Sequence, residues 1–211
     1  MEKFIAFISQ KGGVGKSTLS RAFATEASKL GLSVKLADLD TQQGTSTDWH
    51  RQRLNNGFKA IGSVECIDTA KRAITTAKEF DLLIIDGAPR ASAGTLEMAK
   101  NADLVVLPCC ASRDDLVPAV KLAKELEERG TPRKKICFAL VRVATESEIA
   151  DAREFLGDLG FIVLDGCLYE KPSYRQAQNK GLAVTETTFK SLNQKAKVLL
   201  DSMTNHLMNG E

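Results

Sequence analysis

The sequence predicts an α/β fold: a doubly wound, mostly parallel β-sheet with helices on both faces. Three observations lead there. Short, almost wholly apolar runs, among them residues 4–8, 82–86 and 104–109, alternate along the chain with longer segments whose apolar residues recur at helical spacing. Two of these runs end in an acid, Asp38 and Asp86, as central parallel strands do when they deliver a carboxylate to the carboxyl edge of a sheet. A glycine-rich loop, not a hairpin turn, joins the first run to a helical segment and a second run, which calls for a parallel crossover.

The elements follow in order. Residues 3–9 read as the first strand, and the helix expected over 17–30 carries Leu19, Ala22, Phe23, Ala27 and Leu30 as one apolar stripe, stopped by Gly31. A second strand over 33–38 precedes a polar helix through Trp49, a strand over 58–64 and an amphipathic helix over 67–78. After the central strand at 82–86 come a helix near 95–100, a strand at 104–109, and a helix over 114–129. That helix turns Leu116, Val120, Ala123 and Leu126 to the sheet and ends at Gly130 and Pro132. Strand 136–143, helix 146–159 and strand 161–167 repeat the alternation. A last helix over 187–208 is expected to bury Phe189, Leu192, Ala196, Leu199, Leu200, Met203 and Leu207. No linker, repeat or low-complexity segment interrupts the pattern, so residues 1–211 read as a single domain.

Bulk properties exclude several classes. A chain of 211 residues can bury about 70% of its unfolded surface without staples. Its 43% hydrophobic and 6% aromatic content is ordinary, and no apolar run approaches the ~18 residues of a membrane span. Met1, Glu2 and Lys3 lead straight into the first strand, which predicts no secretory leader. Five cysteines, Cys66, Cys109, Cys110, Cys137 and Cys167, are odd in number and mostly in apolar runs, suiting reduced thiols in a cytoplasm. Adjacent Cys109 and Cys110 lack the spacing of a metal knuckle, which argues against structural zinc or an iron-sulfur cluster. His50 and His206 have no evident partners and read as surface or helix-packing residues. A net charge of +2 is too small to argue for nucleic acid, so only its distribution is informative.

The richest chemistry lies in Gln10-Lys11-Gly12-Gly13-Val14-Gly15-Lys16-Ser17-Thr18. Three glycines let the backbone turn its amides inward, and the following helix aims its positive end at the same point, which is a phosphate cradle. Lys16 is placed to reach β- and γ-phosphates, and the Ser17 hydroxyl to ligate Mg²⁺. The strict Walker pattern has glycine where this chain has Gln10, and a second lysine, Lys11, stands at the mouth of the loop. Asp38 and Asp40, two apart at the end of a strand, share a face that points toward the loop. Asp86 closes a four-residue apolar run, followed by Gly87 and by Pro89, which is expected to stiffen the exit.

This constellation resembles the deviant Walker-A ATPases, the ParA/MinD family, in its motif Lys-Gly-Gly-x-Gly-Lys-Thr/Ser, matched here from Lys11 to Ser17. The resemblance covers nearly the whole chain. It implies that residues 12–18 hold ATP and that Lys11 crosses an ATP-bound dimer interface to the partner's nucleotide. It also implies that Asp40 orients the attacking water, and that Asp38, Asp86 and Ser17 surround Mg²⁺. The family often has proline where this chain has Thr41, which leaves the rigidity of that loop open. Pro172 and Tyr174 fall where the family covers adenine, with Tyr174 either a stacking ring or a packing one. The turn 111–115 resembles the loop where partners and the second subunit are felt.

Between Lys171 and Lys197 six basic residues, Lys171, Arg175, Lys180, Lys190, Lys195 and Lys197, face one acid, Glu186. In relatives of ParA type the corresponding region binds DNA without sequence preference, so Arg175, Lys180, Lys190, Lys195 and Lys197 are the implied DNA contacts. The alternative is a solvated helix face. The tail 204–211 has no lysine cluster and makes a poor membrane anchor. The chain starts too near its phosphate loop for the helix-turn-helix extension of larger relatives. The resemblance thus implies a small partition ATPase, cytoplasmic and nucleoid-associated, that dimerises on Mg-ATP, binds double-stranded DNA and is released by a ParB-like or centromere-binding adaptor. A membrane-positioning ATPase of MinD type and an accessory ATPase recruiting a DNA-transfer complex are the alternatives. Small-molecule enzymes on this fold, such as dethiobiotin synthetase or the nitrogenase iron protein, would need a substrate pocket or paired cluster cysteines.

Overall fold

The computed structural model describes residues 3–88 and 93–210. Seven strands lie side by side: β1 (Lys3–Phe7), β2 (Val34–Asp38), β3 (Ser63–Cys66), β4 (Leu82–Asp86), β5 (Leu104–Cys109), β6 (Ile136–Val143) and β7 (Ile162–Val163). Their order is β3-β2-β4-β1-β5-β6-β7, with β8 (Leu168–Tyr169) also pairing with β6, and every pairing is parallel. The helices are α1 (Lys16–Lys29), α2 (Thr45–Asn55), α3 (Ala70–Thr76), α4 (Ala93–Asn101), α5 (Arg113–Glu128), α6 (Glu146–Asp158), α7 (Pro172–Gln178) and α8 (Lys190–Asn209). The chain leaves β1 toward β2 and β3 on one side and toward β5, β6 and β7 on the other. The carboxyl end of β1 is therefore the crevice where such sheets hold ligands.

Alternation along β1 feeds two cores. Phe4, Ala6 and Ile8 join the core under α3, α4, α5 and α6, whereas Ile5 and Phe7 join the core under α1, α2 and α8. Pro89 lies outside the described residues.

Four expectations are corrected. The strand foreseen over 58–64 is the later β3, because Arg53 draws off its first residues: its Nε donates to the Lys59 carbonyl at 2.6 Å and its guanidinium lies 5.8 Å from the Phe58 ring. The strand foreseen over 161–167 is cut to β7, because the chain turns before β8 at Gly166, whose φ is +72° and where a Cβ would sit 2.8 Å from the Leu199 nitrogen. Leu30 and Phe189 are 79% and 53% exposed, since they cap α1 and α8 and fall off the helical stripes. The last helix starts at Lys190 because Thr187 bonds to the Asn193 side chain and holds residues 187–189 in a turn. The helix α7 falls where the sequence pattern predicts no element.

Arg53 ties α2 to the segment after α7. Its two terminal nitrogens meet the Glu186 carboxylate at 2.7 and 3.0 Å, and one also donates to the Gly181 carbonyl at 3.0 Å. Burial alone would push the Glu186 carboxyl up; Arg53, the Ala183 amide and Lys29 outweigh burial and hold it below the usual carboxylate range. Ionised Glu186 therefore stabilises the fold above that range, and the contribution is lost as pH falls through the depressed value. Arg53→Ala leaves a largely buried carboxylate short of its main partner. Urea unfolding is expected to show a loss of about 3–5 kcal/mol at neutral pH, narrowing below about pH 4 as Glu186 protonates in both proteins.

Candidate functional site

The loop between β1 and α1 adopts its turn through Gly13 and Gly15, at φ +73° and +95°, a region that other residues enter only with strain. Gly15 precedes α1, and no side chain caps that helix, so its first amides remain available to a ligand. Gly12 lines the mouth of the loop, while Val14 turns its side chain into the protein, 5% exposed. Lys16 is buried, with Nζ 3.3 Å from the Lys11 carbonyl. Burial lowers its pKa, against the pull of Asp86, Asp40 and Asp38. Ser17 Oγ lies 3.3 Å from Thr45 Oγ1, and the Thr18 hydroxyl donates to Gln178 on α7 at 3.0 Å.

Opposite the loop, Asp38 and Asp86 are partners in the parallel register of β2 and β4. Asp38 accepts the amides of Ser46 at 2.8 Å and Asp40 at 3.0 Å. The Ser46 hydroxyl donates to Asp86 Oδ2 at 2.8 Å and accepts from Arg21 Nε at 3.1 Å. Arg21, itself buried, rests 5.6 Å from the Trp49 ring. Burial raises both carboxyl pKa values; for Asp38 the charge of Asp86 adds to it.

The second oxygen of Asp86, Oδ1, is buried and has no hydrogen-bond partner. The Asp86 side chain borders a cleft of about 230 Å³ shared with Gly12, Gly13, Lys16, Ser17 and Asp40. A hard divalent cation fits that donor set, to which Ser17 brings a hydroxyl and Asp86 a carboxylate with one oxygen free. Among the described residues no group of three or more His, Cys, Asp or Glu side chains is placed to hold a metal, so phosphate and water would complete its shell. The loop after Asp38 is braced without proline: Gly44 donates to the Asp40 carbonyl at 2.7 Å and Gln43 to the Asp40 carboxylate at 3.2 Å.

A second cleft, of about 400 Å³, runs from Gly13, Gly15 and Lys16 to Leu168, Tyr169 and Glu170. It is large enough for a nucleoside. Tyr174 borders it but is 5% exposed, its hydroxyl donating to the Leu192 carbonyl at 2.9 Å. Of its two possible roles the ring therefore packs and its edge forms a wall. Pro172 occupies the first position of α7 and is not among the residues lining either cleft.

Lys11 points away from both clefts. Its ammonium donates to the Asp114 carbonyl at 2.5 Å and to Asp115 at 2.8 Å, and the bond to Asp115 raises its pKa. The five basic residues are dispersed. Arg175 pairs with Glu170, Lys195 lies 4.3 Å from the Tyr169 ring, and Lys197 reaches Glu26 on α1 at 3.6 Å. Lys180 and Lys190 are exposed. Sequence reasoning missed Arg21, Ser46 and Thr45 behind the carboxylates, and Arg142, Tyr169 and Glu170 at the larger cleft. Only the tertiary fold brings these to the site, and no local pattern marks them.

The family model of the CobQ/CobB/MinD/ParA nucleotide binding domain matches residues 5–203. The chromosome-partitioning ATPase Soj of Thermus thermophilus is 30% identical over 153 aligned residues, which take in 59% of this chain and 61% of that protein. The match thus spans about three fifths of the relative's length. Two solved structures share the fold at low identity. The septum site-determining protein MinD of Pyrococcus horikoshii, complexed with Mg-ADP, superposes with a TM-score of 0.75 at 15% identity, covering 100% of this chain and 99% of that one. Cobyrinic acid a,c-diamide synthase of Mycobacterium smegmatis, with bound ADP and magnesium, does so at 0.69 and 18%, covering 100% and 97%.

Ser46 is the shared partner of Arg21, Asp38 and Asp86. Ser46→Ala keeps the amide bond to Asp38 but removes the hydroxyl between a buried carboxylate and a buried guanidinium. Thermal or denaturant unfolding is expected to show a loss of about 1–3 kcal/mol.

Proposed function

This chain belongs to the CobQ/CobB/MinD/ParA nucleotide-binding family, and from that premise we propose that it is a partition ATPase: it dimerises on Mg-ATP, binds double-stranded DNA non-specifically and is released when an adaptor stimulates hydrolysis. The ParA and MinD members are nucleotide-hydrolysing ATPases. The observation that carries the ATPase reading is Asp86, with one carboxylate oxygen unpartnered, sharing a cleft with Ser17, Lys16 and the glycines of the phosphate loop. The identity to a chromosome-partitioning relative supports the choice of cargo.

In this reading the loop amides and Lys16 hold the β- and γ-phosphates. Ser17 and Asp86, with Asp38 behind them, would hold Mg²⁺, which would supply positive charge against the phosphoryl oxygens. Asp40, at the rim of the smaller cleft, orients the attacking water. Lys11 leaves Asp115 to reach the partner's nucleotide. Dimerisation then doubles the phosphate contacts made by Lys180, Lys190, Lys195 and Lys197, while Arg175 is engaged with Glu170 at the larger cleft. Each added contact steepens the salt dependence by about 0.9 in log–log slope. For ATP to act as a switch it must bind the dimer far better than the monomer. The protein would work in the cytoplasm, on the nucleoid.

The MinD-like architecture favours a second reading, a membrane-positioning ATPase. No helix among the described residues is long and apolar enough to cross a membrane, so such a protein would bind the lipid surface.

Binding to random-sequence duplex DNA, with Mg-ATP and with Mg-ADP at two salt concentrations, separates these readings. Tight, salt-sensitive binding with ATP alone is expected; binding in neither state, with ATP-dependent capture on anionic vesicles, would favour the membrane reading. Asp40→Ala is expected to lower the turnover of ATP about 100-fold or more while the ATP-bound dimer persists in sedimentation. Normal turnover would reassign the water-orienting residue.

A further inference from the structure

At the mouth of the larger cleft stands a carboxylate that a triphosphate site would ordinarily avoid. Glu170 lines the same cleft as Lys16 and Ser17, and two guanidiniums hold it. Arg142 donates through Nε to Glu170 Oε2 at 2.8 Å, and Arg175 meets the other oxygen. Both arginines keep the Glu170 carboxyl below the usual range, Arg142 foremost. The carboxylate thus stays ionised beside the site, each oxygen holding one guanidinium bond and keeping a lone pair for another donor.

The backbone is shaped to make this arrangement. Arg142 is the one non-glycine residue at positive φ, +55°, among the described residues. The pairing of β6 with β8 jumps there from Val141 opposite Leu168 to Val143 opposite Tyr169, two residues against one, which is a bulge. Such strain is found where a site needs a side chain re-aimed. The Arg142 guanidinium consequently spans the gap, donating to the Gly13 carbonyl of the phosphate loop at 3.3 Å as well as to Glu170.

We propose that Glu170, positioned by Arg142 and Arg175, is a ribose-reading group that accepts a hydrogen bond from a sugar hydroxyl of the bound nucleotide. This rests on the nucleotide reading of the site and adds the class of sugar it takes. The carboxylate repels phosphates, so its ligand partner is a neutral donor: a sugar hydroxyl or a base amine. One guanidinium bridges Glu170 to the Gly13 carbonyl of the phosphate loop, so the carboxylate stands one side chain away from the loop that would hold phosphates, as a sugar does in a nucleotide. Arg142 and Arg175 are positioning residues; Glu170 makes the contact.

The test is the ratio of dissociation constants, by competition against a fluorescent nucleotide, for ATP, 2′-deoxy-ATP, 3′-deoxy-ATP and ITP, each with Mg²⁺. The wild-type chain is expected to bind ATP about 10-fold or more tighter than at least one deoxy analogue, as for a bond to a charged acceptor. Glu170→Ala is expected to bring that ratio close to one, and Glu170→Gln, which keeps the shape, to reduce it. Arg142→Ala is expected to reduce it too, through the freed carboxylate. A ratio is insensitive to any general weakening that a structural role would cause. An unchanged ratio in folded Glu170→Ala and Glu170→Gln would overturn the proposal, as would equal binding of ATP and both deoxy analogues by the wild type. Loss of discrimination against ITP alone would move the contact to the base and overturn it likewise. Failure of the wild type to bind ATP at all would overturn the nucleotide reading together with this one, whereas the other outcomes leave that reading standing.

Discussion

The architecture of the site depends on burying two carboxylates next to each other. Asp38 and Asp86 end adjacent parallel strands in register, 1% and 2% exposed, where like charges repel with little water to screen them. The fold offsets this with one hydroxyl and two backbone amides on the carboxylates and one buried guanidinium behind that hydroxyl, drawn from α1, α2 and the loop between β2 and α2. The compensation is incomplete, because one oxygen of Asp86 has no partner within the chain. A site finished by its ligand stabilises the folded chain when the ligand arrives, and this geometry asks for a cation on the side where the phosphate loop would hold an anion.

The same elements carry the site's state outward. Ser46, which bridges the carboxylates, lies in the first turn of α2, and Arg53 lies two turns later on that helix. From Arg53 the contacts pass to Glu186, which also meets Lys29 at 3.2 Å, and Lys29 meets Glu26 at 2.8 Å. Glu26 in turn accepts from Thr185 and faces Lys197 on α8. The single acid in the basic stretch 171–197 is therefore not a gap in a cationic surface. It is the point where that stretch is fastened to α2. A shift of α2 on filling the metal cleft would be felt by α8 through side chains in direct contact, and it would compete with the pairing that now holds Lys197 to α1.

Much of this was legible in the sequence, for identifiable reasons. The strands 104–109 and 136–143 fall where their apolar runs stand, because a long run buried on both faces marks a strand even where one charged residue, Arg142, interrupts its end. The phosphate loop was legible because its chemistry is backbone chemistry, written in glycines at fixed spacing. What escaped depends on contacts between residues far apart in the chain. Arg21 and Ser46 are separated by 25 residues, Ser46 and Asp86 by 40, and no periodicity encodes such a meeting. The turn at Gly166 that cuts the strand short has the same cause, since the glycine is required by the approach of α8. Tyr174 was legible as a neighbour of the larger cleft but not in its role, which its hydroxyl bond to Leu192 decides.

The placement of Lys11 bears on what kind of switch this protein can be. Its ammonium holds two bonds to the start of α5, one to a carbonyl and one charge-assisted. It is 42% exposed, so water weakens that pair. A lysine held this way costs little to release, yet while held it is kept off the nucleotide clefts of its own chain. In the proposed cycle the lysine exchanges Asp115 for the phosphates of a second subunit, a stronger and more highly charged partner. The monomer contact then works as a threshold: too weak to prevent closure on a triphosphate, and sufficient to discourage closure without one. Because Asp115 begins a helix that packs on β5, next to β1, the released carboxylate stays at the same edge of the sheet as the phosphate loop. Opening and closing would thereby be governed by one lysine with two alternative anions, and the nucleotide would decide which of them it pairs with.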